Sequence, residues 1–115
     1  MAPFQSRNLG ALKLVPIQGD RMSPRLRHGR DAVYYARSRF LADDMYVIDW
    51  GDGPIVTYIQ SAGRGTYRLF GELRHYPDNA VTRATLDQIL LGVVVCEITV
   101  RDPELFRQAV AGGTL

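Results

Sequence analysis

The chain has 115 residues, 46% of them hydrophobic, with 14 Lys and Arg against 12 Asp and Glu for a formal net charge of +2. That length can bury a real core but leaves no room for two ordinary domains. So small a net charge argues against a broad polycationic surface, and a single cysteine excludes an internal disulfide.

Taken in chain order, the apolar and alternating runs predict strands over Leu12–Gln18, Ala32–Ala36, Met45–Asp49, Ile55–Gln60, Thr66–Phe70 and Leu90–Val100. Gly63-Arg64-Gly65 reads as the tip of a hairpin between the fourth and fifth runs. Short strands at this spacing predict a compact, strongly curved all-β domain spanning 1–115, with its core at about 11–101. The most apolar stretch, Ile89 to Cys96, is far shorter than the ~18 residues of a membrane span and reads as a buried strand. Within it Cys96 is expected to be a small core residue. Val94, Cys96, Ile98 and Val100 should share one face, with Glu97 and Thr99 on a polar face near the domain edge. Asp102-Pro103-Glu104 then supplies an N-cap, a proline at the first helical position and an early acid, so a short helix should follow and stop by Gly112-Gly113. Met1 to Asn8 lack a long apolar leader, which predicts a cytoplasmic chain with no membrane partner.

Few residues carry conventional chemistry. His28, His75 and Cys96 are too scattered for a metal site, and neither a metal nor a cofactor is expected. Ser23, His28 and Asp31 invite a triad reading, but triads are recognised by geometry rather than proximity, and Ser23 precedes a proline in a turn. Arg21, Arg25, Arg27, Arg30, Arg37 and Arg39 fall within nineteen residues. They are a candidate surface for nucleic acid or an acidic partner, because arginine forks phosphate and carboxylate bidentately. Asp20, Asp31, Asp43 and Asp44 break up that patch, which favours a solvated turn.

The turn after the first strand, Gly19-Asp20-Arg21-Met22-Ser23-Pro24, is the most specific motif. With the following Leu26 to Val33 and the later Leu91-Gly92-Val93-Val94, it resembles the C-terminal domain of the LexA and phage-repressor family, the S24 peptidases, whose fold is shared with signal peptidases. In that family the turn reads Gly-Asp-Ser-Met-x-Pro, and a lysine on a later strand activates the serine. Here Arg21 holds the nucleophile position and Thr57 the lysine position. The only lysine, Lys13, lies on the opening strand. An arginine is neither nucleophile nor base at neutral pH, so the resemblance implies a pseudo-peptidase with no small-molecule substrate.

The resemblance covers roughly Leu12 to Val95, with departures. Gly29-Arg30 stands where the family has Gly-Asp, although Asp31 follows at once. The loop Phe70 to Pro77 keeps Tyr-Pro but not the family's Ser-Asp-Asn, and Leu9-Gly10-Ala11 is a poor substitute for a cleavage loop. The family's other task is pairing subunits, which positions two helix-turn-helix domains on a palindromic operator. No helix-turn-helix lies within these residues, so DNA contact would be indirect. By resemblance, self-association would use the strand around Cys96, Glu97, Ile98, Thr99, Val100 and Arg101. Three readings remain open: a dimerisation module of a repressor, ranked first; a stand-alone adaptor for another repressor-like protein, an antirepressor or nucleic acid, ranked second; and an active peptidase, ranked last.

Overall fold

In the computed structural model, residues 9–73 and 78–112 are described. The readings of Met1 to Asn8, of His75 with Tyr76-Pro77, and of Gly113 fall outside them. Seven strands, β1 (Leu12–Pro16), β2 (Asp31–Arg37), β3 (Asp44–Asp49), β4 (Pro54–Gly63), β5 (Thr66–Phe70), β6 (Asn79–Thr82) and β7 (Leu90–Thr99), form one sheet in the order β1-β2-β7-β3-β4-β5-β6. Every pairing is antiparallel. Two short helices complete the chain, α1 (Arg83–Ile89) and α2 (Pro103–Ala111). The mainly antiparallel β character and the C-terminal helix therefore agree with the sequence.

The continuous apolar run Met45-Tyr46-Val47-Ile48 is buried along its whole length, because β3 sits between β7 and β4 and is covered on both faces. Met45 and Val47 join one core with Val15, Ile17, Met22, Leu26, Val33, Tyr35 and Val56. Tyr46 and Ile48 point into a second core with Ile59, Tyr67, Leu69, Leu86, Ile89 and Val93. The period of two thus distributes one strand between two clusters. Tyr46 carries its hydroxyl inward and satisfies it there, donating to the Ala42 carbonyl at 2.6 Å and accepting from the Leu41 and Ala42 amides.

β6 and α1 were not expected. Thr82 caps α1, its hydroxyl accepting from the Thr85 amide at 3.3 Å, and Leu86 and Ile89 face the second core. Ile89, read as the start of a buried strand, is the last residue of this helix. Ile89 is followed directly by Leu90-Leu91 and so reads in sequence as part of the strand's apolar run, while Asp87-Gln88 set Leu86 apart from it.

β7 is irregular in a way that matters for the site. Its partners skip Leu91 against β3 and Val95 against β2. Each extra residue shifts the phase of alternation by one. Val94 pairs with Tyr35 and Cys96 with Tyr34, so Val94 and Cys96 lie on opposite faces. Cys96 is exposed, and the expectation that it is a core residue sharing a face with Val94 is overturned by this bulge. Gly92 is required at the crossing of β7 and β2, since a Cβ there would lie 2.1 Å from the Ala36 carbonyl oxygen.

Candidate functional site

β1 delivers the chain into a tight turn whose apolar anchors, Met22 and Leu26, are each 2% exposed. The Ser23 amide donates to the Asp20 carbonyl at 2.9 Å and the Leu26 amide to the Met22 carbonyl at 2.8 Å. This folding of the turn leaves Arg21 half-buried and directed toward β4. Its Nη2 donates to Thr57 Oγ1 at 3.2 Å. Thr57 is fully buried, and its hydroxyl also lies 3.0 Å from the Phe70 carbonyl and 3.2 Å from its neighbour's at Tyr58.

The segment after β5 closes over Arg21. The Glu72 amide donates to the Arg21 carbonyl at 2.9 Å, and a Cβ on Gly71 would come within 2.7 Å of both Arg21 Cγ and Arg21 O. The cleft beside it, between Val15, Ile17, Met22, Ile55 and Val56, has a volume of about 20 Å³, close to that of a single water. Chemically the pair is inert toward acyl transfer: a protonated guanidinium cannot accept the threonine proton, so no base meets that hydroxyl within it.

Ser23, His28 and Asp31 do not form a relay. His28 Nδ1 accepts from the Gly19 amide at 3.1 Å, which occupies the nitrogen an orienting carboxylate would need. Asp31 is buried and accepts from the Arg27 amide at 2.7 Å and from Arg30 Nη2 at 3.3 Å. Burial works to raise its carboxyl pKa, but the Arg27 amide and Arg30 guanidinium outweigh it and hold the group below its ordinary value. Asp31 therefore clamps the turn that follows Arg21.

The arginines disperse. Arg21 turns inward, Arg25 pairs with Glu97 at 2.8 Å, and Arg30 pairs with Asp31. Arg27 is exposed on the turn. Arg37 and Arg39 line a different pocket with Gly10, Ser38, Asp87, Leu90 and Leu91. β2 separates them from Arg30 by roughly 20 Å along the strand, so the six do not make one patch.

β7 carries the other candidate surface. β3 pairs with it only from Leu90 to Val93, so Val94–Thr99 is held by β2 alone and its second edge has no strand partner among the described residues. Of the expected interface residues, Cys96, Glu97, Ile98 and Thr99 lie in this strand, while Val100 and Arg101 lie just past its end. Val100 is still tied to the turn, its amide donating to the Arg30 carbonyl at 2.6 Å. Where β7 leaves β3, a pocket of about 200 Å³ opens between Met45, Tyr58, Val94 and Glu97.

Tyr58, which lines this pocket, and Glu72, its hydrogen-bond partner, were missed by sequence inspection. The Tyr58 hydroxyl donates to the Glu72 carboxylate, and burial together with that bond pushes the Tyr58 pKa up to about 12. No local motif could have found them, because Glu72 lies fourteen residues from Tyr58 in a loop.

Among the described residues, no group of three or more His, Cys, Asp or Glu is arranged to hold a metal ion, and no helix is long and apolar enough to cross a membrane. No family model, curated protein or solved structure matches the chain.

Proposed function

We propose that this chain is a non-cleaving relative of the LexA and phage-repressor C-terminal domains, whose work is to pair subunits. One observation carries the reading. Arg21 and Thr57, assigned by motif to the positions of nucleophile and base, are 36 residues apart in sequence and in hydrogen-bond contact. Adjacency of those positions is what the resemblance requires, and their identities make the pair incapable of the family's chemistry. The free edge of β7 supports the second half of the proposal. Along Val94–Thr99 no strand lies on the second edge among the described residues, and the alternate backbone groups directed to that edge are ones a symmetry-related strand would satisfy.

Light scattering on the full chain over a dilution series at two salt concentrations tests the pairing. A dimer that persists at high salt is expected, because strand pairing and apolar contact are little screened. A monomer at every concentration refutes self-association. Intact mass after long incubation at alkaline pH tests the chemistry, with an uncut chain expected.

A further inference from the structure

Two of the dispersed arginines share a pocket. Arg37 and Arg39 line a cavity of about 380 Å³, and among the described residues neither guanidinium makes a hydrogen bond or an ion pair. Asp87 is the one acid on its lining among the described residues, and Arg83 already engages it at 3.2 Å. The backbone beneath the two arginines is fixed from both sides. Arg37 ends β2 opposite Gly92, where a Cβ would lie 2.9 Å from Arg37 Cα. From the β1 side the Gly10 amide donates to the Arg37 carbonyl at 3.0 Å, and a Cβ on Gly10 would meet Arg37 Cβ at 2.9 Å. Ser38 is tied to β7, its hydroxyl oxygen accepting from the Val93 amide at 3.1 Å, which leaves the hydroxyl proton to donate. Leu90 and Leu91, both half-buried, supply the apolar part of the lining.

We infer that this pocket binds a small phosphate monoester, with Arg37 and Arg39 on the phosphate, the Ser38 hydroxyl as a third donor, and Leu90 and Leu91 against an apolar body. Charge is the first reason. A phosphate monoester carries about −1.5 to −2 at neutral pH, which matches two guanidiniums with no acid set against them. Geometry is the second, because a guanidinium fork holds an oxyanion through parallel N–H···O bonds. Size separates this ligand from a nucleic acid. The cavity falls within the ~300–1,000 Å³ of small-molecule sites, whereas a protein that follows a DNA backbone contacts ~6–10 phosphates. The site does not depend on the proposed pairing, since it lies at the Leu90-Leu91 end of β7, away from the free Val94–Thr99 edge.

Calorimetric titration of the full chain with phenyl phosphate, in a phosphate-free buffer of low salt, tests this, with circular dichroism checking that each variant folds. Saturable binding is expected, and Arg37→Gln and Arg39→Gln should each weaken it about tenfold or more. Arg27→Gln, which removes an exposed arginine on the turn at the opposite end of β2, should leave it unchanged. Inorganic phosphate should bind more weakly than phenyl phosphate, because it lacks the body that Leu90 and Leu91 would cover. Benzoate should also bind more weakly, because it brings a single charge to two guanidiniums. A parent chain that shows no saturable binding overturns the site, as does a loss in Arg27→Gln equal to that in the pocket variants. Benzoate binding as tightly as phenyl phosphate overturns the phosphate assignment, and inorganic phosphate doing so overturns the apolar contact.

Discussion

Arg21 and Thr57 are joined by a 3.2 Å hydrogen bond from a guanidinium to a fully buried hydroxyl, tying the turn after β1 to the middle of β4. The same hydroxyl lies 3.0 Å from the Phe70 carbonyl, so one oxygen connects the turn, β4 and β5.

Arg21→Ser removes the guanidinium but supplies no base. We expect intact mass to remain that of the uncut chain after prolonged incubation, with stability reduced by about 1 kcal/mol or less. A specific nick in this variant would show that another group activates the serine. Thr57→Val, which strips the shared oxygen from a buried site, should cost more, about 1–3 kcal/mol, and lower the melting temperature by roughly 5–15 °C.

Cys96 provides a direct report on the β7 edge. Because the bulge at Val95 turns it outward, its thiol should react stoichiometrically with an aromatic disulfide reagent in the native chain at high dilution. Raising the protein concentration into the dimeric range should slow that reaction. Equal rates at all concentrations in a chain known to dimerise would place the interface elsewhere, with β1 at the end of the sheet the next strand to probe.

Asp31 makes stability depend on acid pH. Its folded pKa is held below the ordinary carboxylate value, so its contribution is fully present above the unfolded-state pKa and is lost as pH falls through the lower folded value. Chemical denaturation should show Asp31→Asn less stable than the parent at pH 7, with the gap narrowing steadily below about pH 4. A gap independent of pH would mean that the carboxylate charge contributes nothing to the clamp.

Tyr58 acts at the opposite end of the scale. Its folded pKa, raised to about 12, gives a contribution that is complete below the ordinary tyrosine value and is lost as pH rises through the folded one. Ultraviolet titration of the folded chain should contain one late-ionising tyrosine, and Glu72→Gln should bring its midpoint down, with the part due to burial remaining. An unmoved midpoint would assign the whole shift to burial.

Much of this protein is legible along the chain. Six strands and the α2 stop and start signals can be read from alternation, β-branched content and the Asp102-Pro103 cap, because these are local preferences of the backbone. Arg21 and Thr57 could be marked as a pair of interest only through the resemblance to the repressor family. Their contact could not, since it depends on β4 lying beside a turn that precedes it by 36 residues. The sequence also concealed α1, whose last residue Ile89 merges with the apolar run of β7, and it put Cys96 on the wrong side. A bulge adds one residue to one strand only, and nothing in Val93-Val94-Val95-Cys96 marks which residue lacks a partner. That choice is made between strands, by what β2 and β3 offer for pairing, and so the outward thiol, the free edge and the Arg25–Glu97 pair belong to the tertiary structure alone.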